Sequence, residues 1–178
     1  MVQVEVTLAE TLGVSRTDPD YYILQAGLHV LSGGFYATRL YRDLREKTGL
    51  VYAVEAEVEA GKTRSLFIVE YACDARNVSK ARSMIASDIK EMLANPVTNE
   101  ELLRAKALLI RQVSLSESST ERVASTLLDL SLEDLPLDEP VQAAKSYREV
   151  TAEQVRRAFA RWIRPDDFVQ VSLGPSPK

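Results

Sequence analysis

Apolar and polar residues alternate through residues 2–8, the period of a half-buried strand. Residues 13–19 read as a turn region, and Asp18-Pro19-Asp20 is placed to cap a following helix. From Tyr21 to Leu31 the chain is apolar on most sides, which predicts a well-buried helix. Ser32-Gly33-Gly34 breaks that pattern and permits a tight turn or a close backbone approach. Helical spacing resumes over residues 35–47, with Tyr36, Leu40 and Leu44 at four-residue steps. Gly49 lies just past the end of this helix, where a left-handed cap is favoured.

Residues 51–59 alternate again, Tyr52, Val54, Ala56 and Val58 sharing one face and Glu55, Glu57 and Glu59 the other. Gly61-Lys62 reads as a hairpin turn into a second strand over residues 66–73. Such alternation predicts antiparallel pairing, with helices on one face and the glutamates on the wet one. The plain role of those glutamates is solubility; the sharper alternative is an acidic wall of a binding chamber. The second half is mostly helical. Val78, Ala81, Ile85, Ile89 and Met92 form an amphipathic stripe that ends before Pro96. Thr98 with Glu101 is a capping box opening a helix with Leu102, Leu109, Ile110 and Val113 inside. A serine-rich break over residues 114–120 precedes a helix over residues 121–132, then Pro136 and Pro140 punctuate the chain. Thr151 with Gln154 is a second capping box, for a helix through Val155, Phe159 and Trp162. Asp166-Asp167 then turns into a closing strand over residues 168–173. The fold class is α+β, a mostly antiparallel sheet with helices packed on one face, and no linker divides residues 1–178 into more than one domain.

Composition narrows the function. At 178 residues, 46% apolar and 27% charged, the chain has the make-up of an ordinary globular domain. A net charge of −4 argues against nucleic acid as partner, and there is neither an apolar run of membrane-spanning length nor a signal-peptide pattern. Arg39, Arg42, Arg45 and Lys47 cluster, but Asp43 and Glu46 interleave them, as on a solvated helix face. Cys73, the single cysteine, reads as a small buried hydrophobe. His29, the single histidine, has no partner at metal-ligand spacing and reads as a core or helix-end residue. Neither a phosphate loop nor a nucleophile elbow is present.

What remains is the run Leu44-Arg45-Glu46-Lys47-Thr48-Gly49-Leu50-Val51-Tyr52. Arg45 and Tyr52 flank a helix-to-strand reversal, and a guanidinium beside a phenol is a donor pair suited to a carbonyl oxygen or a developing oxyanion. With Asp18-Pro19-Asp20-Tyr21, Leu31-Ser32-Gly33-Gly34-Phe35 and Thr38-Arg39-Leu40, this run resembles the second-half domain of pitrilysin/insulinase-type zinc peptidases, the group of mitochondrial processing peptidase. Ser32 departs from the pattern, where the family often has glycine. The resemblance implies a clam of two halves. One half carries Zn2+ on an inverted His-x-x-Glu-His helix, a motif this chain lacks. The other, fused or on a separate subunit, supplies the arginine and tyrosine, here Arg45 and Tyr52, to hold the substrate carbonyl and stabilise the tetrahedral intermediate.

On that reading the chain binds no metal, cleaves nothing alone, and acts on peptides with a homologous zinc-carrying partner, without membrane insertion. Met1 running straight into a strand fits a piece cut from a longer protein, with a natural partner subunit as the alternative. Compartment is not read from the residues; family analogy points to the bacterial envelope, with the cytoplasm as alternative. Two other readings stand beside it: a non-catalytic scaffold subunit of the same family, and a small-molecule or peptide-binding α+β domain indifferent to zinc.

Overall fold

The computed structural model describes residues 3–33, 37–116 and 118–175. Its sheet has four strands among these residues, in the order β2-β3-β1-β4: β1 (Gln3–Leu12), β2 (Val51–Ala60), β3 (Ser65–Asp74) and β4 (Val169–Leu173). All neighbours are antiparallel. One face is buried: Val4, Val6 and Leu8 of β1 and Phe67, Val69 and Tyr71 of β3 enter the core. The helices that cover it are α1 (Tyr21–Ser32), α2 (Val78–Ala94), α3 (Asn99–Ser116), α5 (Glu139–Glu149) and α6 (Ala152–Trp162), with α4 (Thr120–Leu132) at the margin. The α+β class and the antiparallel sheet are as expected from the pattern. The opposite face is wet, and Glu55, Glu57, Glu59 and Glu70 stand on it, with Glu55 directly across from Glu70.

Strand β1 runs four residues beyond the alternating stretch. The reason is Glu10, which occupies an inward position and breaks the apolar pattern; its carboxylate accepts the Arg164 backbone N–H at 2.9 Å. Asp20 is the residue before α1, yet its side chain makes no cap. It accepts instead from Trp162 Nε1 at 2.8 Å and pairs with Arg161, tying the start of α1 to the end of α6, while Asp18 takes the Asp20 N–H. Both predicted capping boxes form, Thr98 with Glu101 and Thr151 with Gln154. Helix α5 falls where the two prolines suggested only punctuation, because Pro140 sits in its first turn, where no N–H partner is lost. Buried Glu139 at its start pairs with Arg16 and accepts from Tyr22 Oη at 2.8 Å, and the Arg16 guanidinium lies 4.1 Å over the Tyr21 ring.

The α1 helix ends at Ser32, whose hydroxyl accepts the buried N–H of Ala56 at 3.0 Å. β2 is an edge strand, and this N–H is met by the Ser32 hydroxyl instead of by a neighbouring strand. Gly34, Phe35 and Tyr36, part of the break and the helix expected next, lie outside the described residues. Beyond them the chain winds as a π-helix over Tyr41–Glu46, wider than the α-helix that the four-residue steps predict. Leu40 and Leu44 still reach the core, and the carbonyls of Asp43 and Leu44 both lie 2.9 Å from the Thr48 hydroxyl, which donates to them. No helix among the described residues is long and apolar enough to cross a membrane.

Candidate functional site

The π-helical segment, the turn through Gly49 and the first residues of β2 place Arg45 and Tyr52 side by side at one end of the sheet. Gly49 has φ of +61°, the left-handed cap expected of it. Its N–H donates to the Arg45 carbonyl at 3.0 Å, and the Leu50 N–H donates to the Leu44 carbonyl at 2.9 Å. The chain thereby reverses and enters β2 directly beneath Arg45.

Tyr52 is not on the buried face with Val54, Ala56 and Val58, as simple alternation places it. The ladder to β3 slips there: Val51 pairs with Cys73 and Ala53 with Ala72, which leaves Tyr52 as the extra residue of a β-bulge. Val51 turns inward in its stead, and Tyr52 is 43% exposed. Arg45, also exposed, donates through Nη1 to the carbonyls of Val51, at 3.2 Å, and of Tyr52. These carbonyls belong to the bulge, where the ladder is interrupted, so the guanidinium clamps the irregularity that turns the tyrosine outward. The phenol itself donates to Asp74 Oδ1 at 2.8 Å. That bond, helped by slight desolvation and the carboxylate's charge, raises the Tyr52 pKa, with Arg76 pulling it down and Cys73 adding a small upward push.

The two predicted site residues are therefore brought together, but each is engaged inside the chain. Asp74 was not signalled as a site residue. The hairpin turn predicts it: strands paired about residues 61–64 bring 51–52 opposite 73–74. Behind the pair, the basic cluster is not wholly a solvated face. Arg39 is only 6% exposed and donates from Nε and Nη2 to the two oxygens of Glu101 at 2.8 and 3.0 Å, with Glu91 3.7 Å away. Asp43 is gripped by Arg42 and then Lys47, which holds its carboxyl at about 2 against partial burial. Asp88 of α2 faces the same segment. Burial, followed by the charges of Asp43 and Glu91, pushes it up to about 6, although Arg42 and Arg39 oppose.

Metal chemistry finds no donor set here. No group of three or more His, Cys, Asp or Glu side chains among the described residues is placed to hold an ion. His29 is half-buried, its pKa lowered by burial although Gln25 and Gln112 hydrogen-bond it. Cys73 is fully buried, and burial raises its thiol. These residues do not fit a zinc site. On the wet face Glu57 is pushed up by partial burial and then by Glu59, Glu55 and Glu70.

Comparison with known proteins identifies the family. The family model described as "Peptidase M16 inactive domain" matches residues 5–109, more than half of the chain. The Bacillus subtilis (strain 168) protein described as "Probable inactive metalloprotease YmfF" is 28% identical over 111 residues, 62% of this chain. The chain spans about a quarter of that protein's length (25%). Among solved structures, a peptidase M16 inactive domain from Pseudomonas fluorescens is 29% identical with a TM-score of 0.84, covering 97% of this chain and 41% of that one. The inactive peptidase domain of a Bordetella parapertussis protein shares the fold at 15% identity and a TM-score of 0.82, over 97% of this chain and 94% of its own. The chain belongs to the M16 peptidase inactive-domain family, the pitrilysin/insulinase-type group that the run around Arg45 resembles.

Proposed function

We propose that this chain is a single domain, the second half of a zinc-dependent endopeptidase, which closes over a homologous zinc-carrying half and presents Arg45 and Tyr52 to the substrate peptide. The observation that carries this is the bulge: it takes Tyr52 out of the strand's alternation and leaves it exposed, with the Arg45 guanidinium bonded to its backbone carbonyl. A hydrogen-bonding cation and a phenol at one exposed edge suit a peptide carbonyl, whose oxygen gains negative charge as the carbon becomes tetrahedral. The reading assigns the metal to the partner half, and no cluster of His, Cys, Asp or Glu among the described residues is placed to hold it here. Removing one donor of such a pair costs about 10²–10³-fold in rate.

A scaffold role in the same family is the second reading. It is favoured by the internal engagement of both donors and by the name of the Bacillus subtilis relative, "Probable inactive metalloprotease YmfF". The test begins with material captured from its natural source with an antibody to this chain. Intact mass and zinc content are read together. The proposal expects a longer product, or a tight complex with a second subunit, carrying zinc. In that assembly Arg45→Ala and Tyr52→Phe lower peptide cleavage while far-UV circular dichroism stays unchanged. A free, zinc-less species of this size, or full activity in both variants, leaves the scaffold reading.

A further inference from the structure

Tyrosine carries one hydroxyl proton, so a phenol that donates to one acceptor has none left for another. In this protein that proton is committed. Tyr52 Oη donates to Asp74 Oδ1 at 2.8 Å, and Asp74, the last residue of β3, keeps its other oxygen 3.7 Å from Arg76. The bulge turns Tyr52 out of the strand's alternation, and its phenol reaches the side chain of Asp74 on the neighbouring strand. A carboxylate is a stronger acceptor than a neutral peptide carbonyl. A bound peptide in its ground state therefore does not take the proton away, whereas an oxygen that has gained negative charge competes for it on more equal terms.

We propose that Asp74 is a positioning residue that latches Tyr52: it holds the ring at the end of the sheet and keeps the phenol proton until an acceptor of comparable charge displaces it. The inference rests on the reading of Arg45 and Tyr52 as the substrate-facing pair. It assigns Asp74 a part that follows neither from the family description nor from the arginine–tyrosine spacing. The latch withholds the donation from a neutral carbonyl and yields it only to an oxygen of comparable charge, at the cost of the Asp74 bond.

The experiment is Asp74→Asn, which keeps the shape and one accepting oxygen but removes the charge. The 178-residue protein is labelled at the tyrosine ζ-carbon, Tyr52→Phe assigns the signal, and the ζ-carbon shift is followed through an alkaline titration. The expected result is that the Tyr52 transition moves to lower pH in Asp74→Asn, since Asp74 is the main cause that raises it, while Arg76 and Cys73 are unchanged. In the assembly with the zinc-carrying half, kcat/KM for a peptide rises a few-fold, because the competitor for the proton is weaker. A residue with a merely structural part lowers kcat/KM when changed and leaves the phenol where it was. An unmoved titration, or a fall in kcat/KM beside a shifted titration, overturns the latch. A shifted titration with full cleavage by Tyr52→Phe overturns the reading of the pair beneath it, so the two failures are distinguishable.

Discussion

Glu101→Gln removes one charge from an ion pair whose partner cannot follow it into water. The Arg39 side chain is 7% exposed and that of Glu101 15%, and the pair is bidentate. The same carboxylate accepts the Thr98 N–H at 2.8 Å, so one side chain closes the cap of α3 and anchors the segment that bears Arg45. Glutamine keeps one accepting oxygen and turns the other position into a donor, which faces either a guanidinium or an N–H. Burial alone raises this carboxyl. The Arg39 bond, the Thr98 backbone bond and the Arg39 charge outweigh it and bring the group from 4.5 to about 2. That drop corresponds to roughly 3 kcal/mol of folding stability. Breaking a buried pair costs about 3–5 kcal/mol, and Glu91, still 3.7 Å from Arg39, keeps the expectation at the low end. Urea unfolding at pH 7 is therefore expected to lose about 3 kcal/mol with the m-value unchanged. The sign with pH follows from a depressed folded pKa: the contribution is fully present above about 4.5 and is lost as pH falls toward about 2. The gap between wild type and variant should narrow across that window. A loss under about 1 kcal/mol at pH 7, or a gap that does not change with pH, refutes the reasoning.

Two further substitutions probe how the layers are joined. Gly27 lies inside α1, and a Cβ there would sit 2.2 Å from Phe159 Cε2 and 2.8 Å from Val155 Cγ1 of α6. Gly27→Ala is expected to destabilise by about 1–3 kcal/mol despite alanine's better helix propensity, and a thermal midpoint at or above wild type would refute the close-packing argument. Ser32→Ala leaves the buried Ala56 N–H without its acceptor, for an expected cost of about 1–3 kcal/mol and faster hydrogen exchange at that amide; unaltered exchange would show that another acceptor serves it.

Much of the fold was legible because its elements announce themselves locally. The stripe from Val78 to Met92, the two capping boxes and the hairpin about residues 61–64 each depend on neighbours a few positions apart. What was hidden depends on distant partners. The predicted strand stops at Leu8, short of Glu10, because Arg164, which supplies the N–H that keeps Glu10 inside, is 154 residues away. Arg39 reads as one charge of a solvated face until Glu101 is placed beside it. The site shows the same division. Arg45 and Tyr52 were legible as a pair from their spacing and family resemblance, but the bulge that sets Tyr52 apart from Val54 is a property of the pairing with β3. Asp74 follows from that pairing as well.

The turn between Arg45 and Tyr52 gives a sharper test of what sets their separation. Arg45 is tied through the π-helical segment to the helices, and Tyr52 is tied through β2 and Asp74 to the sheet, so Gly49 joins two bodies with different anchors. Its φ of +61° carries the reversal, and a Cβ built there meets nothing within 4 Å. Any penalty at this position is therefore conformational and not steric. Gly49→Ala is expected to cost about 1–2 kcal/mol, the penalty of a left-handed conformation for a residue with a Cβ. Asparagine is larger but tolerates that region better, so Gly49→Asn should recover part of the loss. A crowded turn predicts the reverse order. Chemical denaturation of the two variants distinguishes the cases, and the Arg45 guanidinium signals in the proton–nitrogen spectrum report whether the clamp on the Val51 and Tyr52 carbonyls loosens in step. If Gly49→Asn is as costly as Gly49→Ala or more so, the left-handed backbone is not what sets the separation of the pair.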